Sequence, residues 1–278
     1  MSSARFSRIV IIQSLSPDES PTGRHLRDAI EPTATFDRGI TVAFVEARTA
    51  VDFWAALENL QATTAKTGDI PILHLECHGL PDKTGLSLAD RSPLLWTELR
   101  PALVKLNRAT RFNLFVTLAA CHGAMLIETL DVRSRAPCWG LMGPSGEVSP
   151  PDLVASYSAF FLELFQSEDS NAALRALGRS PERRANYFLF SAQDIFEHVL
   201  QRYRETCSTN LQMAQRAQRF AKTLREAGAP LTDQGAVLSM LYDTENEILE
   251  RFFTHFFMVD HFPQHKKRFG GSYLAILP

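Results

Sequence analysis

Ile70-Pro71-Ile72-Leu73-His74-Leu75-Glu76-Cys77-His78-Gly79 and Phe112-Asn113-Leu114-Phe115-Val116-Thr117-Leu118-Ala119-Ala120-Cys121-His122-Gly123 decide the fold. Each is a short apolar run with β-branched or aromatic residues inside it and a glycine where it stops, the pattern of a parallel strand buried on both faces. A polar, turn-rich loop and then an amphipathic helix lie between them, the content of a β-α-β crossover. If the two strands are neighbours, His78 and Cys121 share the carboxyl edge of the sheet, where open α/β sheets hold their ligand crevice. An imidazole beside a thiol is the pairing of a cysteine nucleophile with its base.

Working outward, four further runs read as strands: Arg8 to Leu15, Ile40 to Glu46, Ala136 to Met142 and Tyr187 to Phe190. Helices alternate with them. One covers Ala50 to Ala65, with Val51, Trp54, Leu57 and Leu60 on a single stripe. Another covers Trp96 to Leu106, and a third Pro151 to Phe165, with Ser149 placed to cap it. Shorter helices are expected near His25 to Ile30, Ala124 to Leu130 and Asn171 to Leu177, and one runs from Ala192 to about Arg204. The expected fold class is α/β, a mostly parallel six-stranded sheet with helices on both faces.

From Thr206 onward the pattern becomes wholly helical, so a first domain over 1-205 and a helical extension over 206-278 are expected. Gln212 to Ala227 and Gln234 to Met258 read as long amphipathic helices, separated by Gly228-Ala229-Pro230 and a start signal at Thr232-Asp233. Phe252, Phe253, Phe256, Phe257 and Phe262 crowd the end of the second. Such a stripe is either core for a packed helical pair or a surface for a partner. His255, His261 and His265 lack supporting ligands and read as core or surface residues.

At 278 residues, with 45% apolar and 22% charged side chains, the chain has the composition of a globular protein. A net charge of −2 gives no basic excess to recruit nucleic acid. No run is long and apolar enough to cross a bilayer, and Met1 to Arg8 lacks a secretory apolar segment. The four cysteines, Cys77, Cys121, Cys138 and Cys207, form neither a disulfide framework nor a CxxC pair. A cytoplasmic, reduced protein without cofactor or membrane partner is expected.

A thiol with its ordinary pKa of ~8.5 is mostly protonated at neutral pH and needs a base, a role His78 is placed to fill. Gly79 lets its N–H approach a substrate closely, and the Gly79 and Cys121 amides together could hold an oxyanion. Cys77 faces away from His78 by strand alternation and reads as a buried filler, as does Cys138 inside its strand. His74, Glu76 and His78 share one strand face, so they form either a metal site or a base with Glu76 orienting it; zinc would need a further ligand that the sequence does not offer. His122 follows the nucleophile and points away from it.

His-Gly at one strand end, the turn-rich stretch to Leu86-Ser87-Leu88 and Ala-Ala-Cys-His-Gly at the next strand end resemble the CHAT proteins, caspase-like cysteine peptidases of clan CD related to separase and the metacaspases. The likeness continues through Trp139-Gly140, Tyr157, Phe160-Phe161 and Asn171-Ala172-Ala173-Leu174, roughly residues 70 to 200. The resemblance implies a caspase-like three-layer sandwich, with His78 and Cys121 catalytic and Gly79 and Cys121 donating to the oxyanion. It also implies a basic residue at P1 held by an acid, with Glu147, Asp152 and Asp82 as candidates, and self-cleavage after Arg133 or Arg135. The partners it implies are a protein substrate and an upstream activator, in bacterial antiviral-defence or cell-death pathways. Two other classes compete. One is a catalytically silent adaptor acting through its C-terminal helices. The other is a small-molecule thiol hydrolase, against which Ala119 stands where a Gly-x-Cys-x-Gly elbow needs glycine.

Overall fold

The computed structural model describes residues 6–177, 186–228 and 233–274, residues 272–274 by backbone alone. The start of the N-terminal stretch and the Ala229-Pro230 and Thr232 part of the expected interhelical break lie outside the described residues. The chain divides into two compact units. One runs to Asp131 and resumes over Ala136–Ala192; the other takes Val132–Arg135 and the chain from Gln193 on. The helix placed at the end of the first domain from sequence therefore groups with the second unit.

In chain order the first unit contains β1 (Arg8–Gln13), α1 (Thr22–Pro32), a π-helical turn (Thr33–Asp37), β2 (Thr41–Glu46), α2 (Ala50–Thr67) and β3 (Pro71–Glu76). Then come β4 (His78–Gly79), β5 (Gly85–Ser87), β6 (Pro93–Leu95), α3 (Trp96–Ala109) and β7 (Phe115–Ala119). A 3-10 turn (Gly123–Thr129) leads to β8 (Gly140–Pro144), α4 (Pro150–Ser167), α5 (Ser170–Leu177) and β9 (Tyr187–Ser191). Six strands make one sheet in the order β2-β1-β3-β7-β8-β9, parallel except for β9, while β4, β5 and β6 form a separate antiparallel sheet. The expected six-stranded, mostly parallel α/β sheet is thus present.

Strand alternation divides the apolar side chains between two layers. Val10, Ile12, Leu73, Leu75, Val116 and Leu118 pack with Phe53, Leu57 and Leu60 of α2 and Leu99, Leu103 and Leu106 of α3. Ile9, Ile11, Ile72 and Phe115 pack with Leu26 and Ile30 of α1, Tyr157, Phe160 and Phe161 of α4, and Leu177 of α5. Local signals set the helix ends. Thr49 and Asp52 form a reciprocal capping box at α2, Gly68 closes it at φ 76°, and the Ser149 hydroxyl accepts from the Asp152 N–H at α4.

Several strand bounds differ from the expectation, three of them for a backbone reason. β3 ends at Glu76, because His78 and Gly79 pair with Ser87 and Leu86 of β5 instead of continuing the main sheet. β7 begins only at Phe115, because Arg111 and Phe112 adopt φ of 52° and 63° in the tight turn after α3. β8 begins at Gly140, so Cys138 precedes the strand rather than lying inside it. Pro137 has no N–H to offer a ladder, and the Ala136 carbonyl is taken by the Asn107 side chain.

The second unit is helical: α6 (Ala192–Cys207), α7 (Asn210–Glu226), α8 (Gln234–Phe256) and α9 (His265–Leu274). Phe253, Phe256 and Phe257 of its phenylalanine stripe are core, while Phe252 and Phe262 are half-buried. Phe196 meets Phe253, Phe256 and Phe257 at centroid distances of 5.9, 5.2 and 5.0 Å, and Phe257 stacks on Phe269 at 4.6 Å. His265 is buried and bonds the Phe257 carbonyl through Nδ1 at 2.7 Å. Among the described residues, no helix is long and apolar enough to cross a membrane.

Asn107 joins three segments of the first unit. From the last turn of α3, fully buried, it donates Nδ2–H to Ala136 C=O at 3.0 Å and accepts from Leu114 N–H at 3.2 Å. Replacing it leaves two buried backbone groups unpaired, each costing about 1–3 kcal/mol. Asn107→Ala should therefore destabilise the protein by about 3 kcal/mol, read as a lower urea midpoint at unchanged slope; a loss below about 1 kcal/mol would contradict this role.

Candidate active site at the tips of β3 and β7

β3 and β7 are parallel neighbours with Glu76 opposite Ala119, so the chain beyond each emerges at the same carboxyl edge. Past that pair, the Cys77 N–H still reaches Ala119 C=O at 3.3 Å, and then β4 turns into the small sheet. The turn brings Gly79 onto the Cys121 backbone. A Cβ on Gly79 would sit 1.9 Å from the Cys121 carbonyl oxygen and 2.8 Å from its carbon. Only glycine fits that approach.

The ladder also orients an amide. Leu80 N–H donates to Gly85 C=O at 2.9 Å, so Leu80–Gly85 and His78–Ser87 are the bonded pairs, and the intervening Gly79 directs its N–H away from β5. The Cys121 N–H makes no hydrogen bond among the described residues. The two amides expected to hold an oxyanion are therefore not spent on the neighbouring ladder.

His78 is 56% exposed at the side chain, and its Nε2 meets Glu19 Oε1 at 2.8 Å. Cys121 is half-buried, with Sγ 3.9 Å from Val148 C=O in the loop between β8 and α4. Among the described residues no hydrogen bond joins the sulfur to the imidazole; adjacency of the two tips is what the backbone fixes. His122 has a different task. It adopts φ 58°, donates its N–H to Gly146 C=O at 3.0 Å, and bonds Ser145 C=O through Nδ1 at 2.9 Å. Its Nδ1 thus helps hold the β8–α4 loop against the β7 tip.

Glu76 does not orient His78. It lies 2% exposed beneath the sheet edge, where Oε2 meets His74 Nε2 at 2.9 Å and Oε1 accepts the Thr22 hydroxyl. His74 Nδ1 continues the chain to Thr117 Oγ1 at 2.8 Å, and the Tyr157 ring packs edge-on at 4.8 Å. The three-residue face read from alternation is broken because the chain leaves the sheet after Glu76. No group of three or more metal-ligating side chains occurs among the described residues.

The three candidate acids differ sharply. Asp82 and Glu147 are exposed, and Asp82 spends Oδ1 on Thr84 N–H and hydroxyl within its own turn, which holds its carboxyl below the usual range. Asp152 is fully buried in the first turn of α4, four residues beyond the carbonyl that faces the Cys121 sulfur. One of its oxygens accepts from Ser156 Oγ at 3.1 Å; the other, Oδ2, is buried without a hydrogen-bond partner among the described residues. Burial pushes the Cys77 thiol well up and the Cys138 thiol to about 12, so neither competes as a nucleophile. Cys207 is exposed at the end of α6. Arg135 forms a bidentate ion pair with Asp260 at 2.9 and 2.6 Å, which self-cleavage after Arg135 would have to release first.

Two features escaped the sequence reading. Glu19 sits in a loop whose only signal was its charge, and the Thr22–Glu76–His74–Thr117 chain joins residues far apart in order. Compared with known proteins, the chain matches no family model and no curated protein.

The seat of Gly79 on the Cys121 carbonyl yields a direct test. Gly79→Ala forces the backbone apart where no flexible side chain can yield, an overpacking strain of about 1–3 kcal/mol. The variant should show that loss in urea unfolding; wild-type stability would mean the two tips are not in contact.

Proposed function

We propose that this chain is a caspase-like cysteine endopeptidase of the CHAT type, with Cys121 as nucleophile and His78 as base. The observation that carries this reading is the packing of Gly79 against the Cys121 carbonyl, with the Gly79 amide facing away from its ladder and the Cys121 amide without a hydrogen bond among the described residues. A three-layer α/β sandwich with the reactive pair at its carboxyl edge is consistent with it.

In this reading, His78 takes the Cys121 proton as the sulfur attacks the scissile carbonyl. The Gly79 and Cys121 N–H groups stabilise the oxyanion that forms. The leaving amine departs with the proton held by His78, and an acyl thioester remains on Cys121. Water attacks that thioester, giving its proton to His78 and freeing the acid product. An adjacent base is required because a thiol with its ordinary pKa of ~8.5 supplies little thiolate at neutral pH.

Asp152 is the best of the three acids for a basic P1 residue. A buried carboxylate oxygen without a donor is costly, and an incoming guanidinium or ammonium would supply one. Exposed Glu147 and the turn-bound Asp82 have no such deficit. The substrate is then a protein cleaved after arginine or lysine, and control rests with an upstream partner, as in the defence and cell-death peptidases that the two tip motifs resemble.

Fluorogenic peptides carrying Arg, Lys, Asp or Leu at P1 test this. Cleavage after Arg or Lys is expected, abolished by Cys121→Ala and by His78→Ala. Asp152→Asn should lower kcat/KM for the arginine peptide by about 10- to 100-fold, the worth of a charge-assisted hydrogen bond, with little effect on a leucine peptide. Cleavage that survives Cys121→Ala would end the peptidase reading, and a wild type that cleaves none of the panel would point to a missing activator.

A further inference from the structure

We propose that Glu19, in the loop between β1 and α1, is the positioning residue for His78, making the catalytic group a carboxylate–imidazole–thiol chain rather than a pair. The proposal rests on the peptidase reading above. The imidazole has two nitrogens, and the one facing its orienter decides which is left for the sulfur. Here Nε2 is held by Glu19 Oε1 at 2.8 Å. A carboxylate accepts only, so Nε2 carries the hydrogen and Nδ1 keeps the lone pair that can take the Cys121 proton.

The carboxylate is itself fixed. Its other oxygen, Oε2, accepts from the Ser16 N–H at 2.8 Å, while the Glu19 N–H returns to Ser16 C=O at 3.0 Å, closing a tight turn on the acid. That turn is anchored to the sheet edge. Ser14 donates its N–H to Glu76 C=O at 2.8 Å and its hydroxyl to Ala47 C=O at 2.7 Å, and accepts from Ala89 N–H at 2.9 Å. A carboxylate gripped at one oxygen by backbone and offered at the other to an imidazole is a built orienter, not a chance surface pair. The other ionisable groups around this edge are accounted for. Asp18 is occupied by Ser16 and lies near Arg91, His122 bonds Ser145 C=O, and Cys121 is the proton's source.

Exposure separates this role from a structural one. His78 and Glu19 are 56% and 39% exposed at their side chains, and pairs so placed contribute little to folding. Removing Glu19 should therefore leave stability intact and strike the chemistry alone.

The test uses the full-length protein and the peptide that wild type cleaves best. Glu19→Ala should lower kcat by about 10- to 100-fold with KM changed less than about twofold, at unchanged melting temperature. Glu19→Gln, whose amide oxygen can still accept from Nε2, should recover part of that loss. Long-range proton–nitrogen NMR at alkaline pH, with His78 assigned by its absence in His78→Ala, should show the Nε2–H tautomer in wild type and a mixture in Glu19→Ala. Wild-type kcat in Glu19→Ala, or an unchanged tautomer, overturns the positioning role while the peptidase reading stands. Cleavage that survives Cys121→Ala overturns both.

Discussion

Gly79 rests against the Cys121 carbonyl so closely that a single methyl group would collide with it. Everything at the carboxyl edge follows from that contact. It requires β3 and β7 to be direct neighbours, and it requires the chain after Glu76 to leave the main sheet. The departure into β4 turns the Gly79 amide away from its ladder partner and carries His78 out to the surface, within reach of the β1–α1 loop. A continued β3 would have kept His78 in line with His74 and Glu76. The small antiparallel sheet is therefore part of the site, since its pairing sets the angle at which the tip of β3 crosses the tip of β7.

Beneath the edge, polar groups do the joining that apolar contacts cannot do alone. Glu76 is almost fully buried, and a bare carboxylate there would be too costly to keep. It is retained because His74 and the Thr22 hydroxyl meet it, and His74 is in turn met by Thr117. The chain links α1, β3 and β7, and Tyr157 adds α4 by donating its hydroxyl to Leu118 C=O at 2.7 Å. Burial drives the Tyr157 phenol well above its usual range, so it remains a donor throughout the physiological span. At the end of β1, Gln13 Oε1 accepts the Gly23 N–H, satisfying an orphan donor in the first turn of α1. The loops bearing Glu19 and Cys121 thus start from elements locked to one another by directional bonds, which fix position more tightly than apolar packing does.

The sheet was legible because buried parallel strands leave a strong local mark: Ile9-Val10-Ile11-Ile12 and Leu114-Phe115-Val116 admit little else at that length. Helix starts were equally plain where a side chain caps its own backbone, as Thr49 and Ser149 do. The strand ends were not. Nothing local in Leu75-Glu76-Cys77-His78 says that the ladder changes partner after Glu76, since that depends on Ser87 and Leu86 folding back from β5. The start of β8 was misplaced for a similar reason, because the Asn107 side chain claims the Ala136 carbonyl from a distant helix.

Sequence alone determined the α/β class, the succession of strands and helices, and the placing of His78 and Cys121 just beyond the tips of neighbouring strands, because these rest on hydrophobic period and on residue types a few positions apart. Tertiary structure decided which acid is buried and short of a donor, that Glu76 serves His74, and that Glu19 faces His78. Those outcomes turn on groups up to 59 residues apart in the chain meeting at hydrogen-bond distance. A linear pattern carries no information about burial or donor geometry at that range, because both arise only once the layers have closed around the sheet.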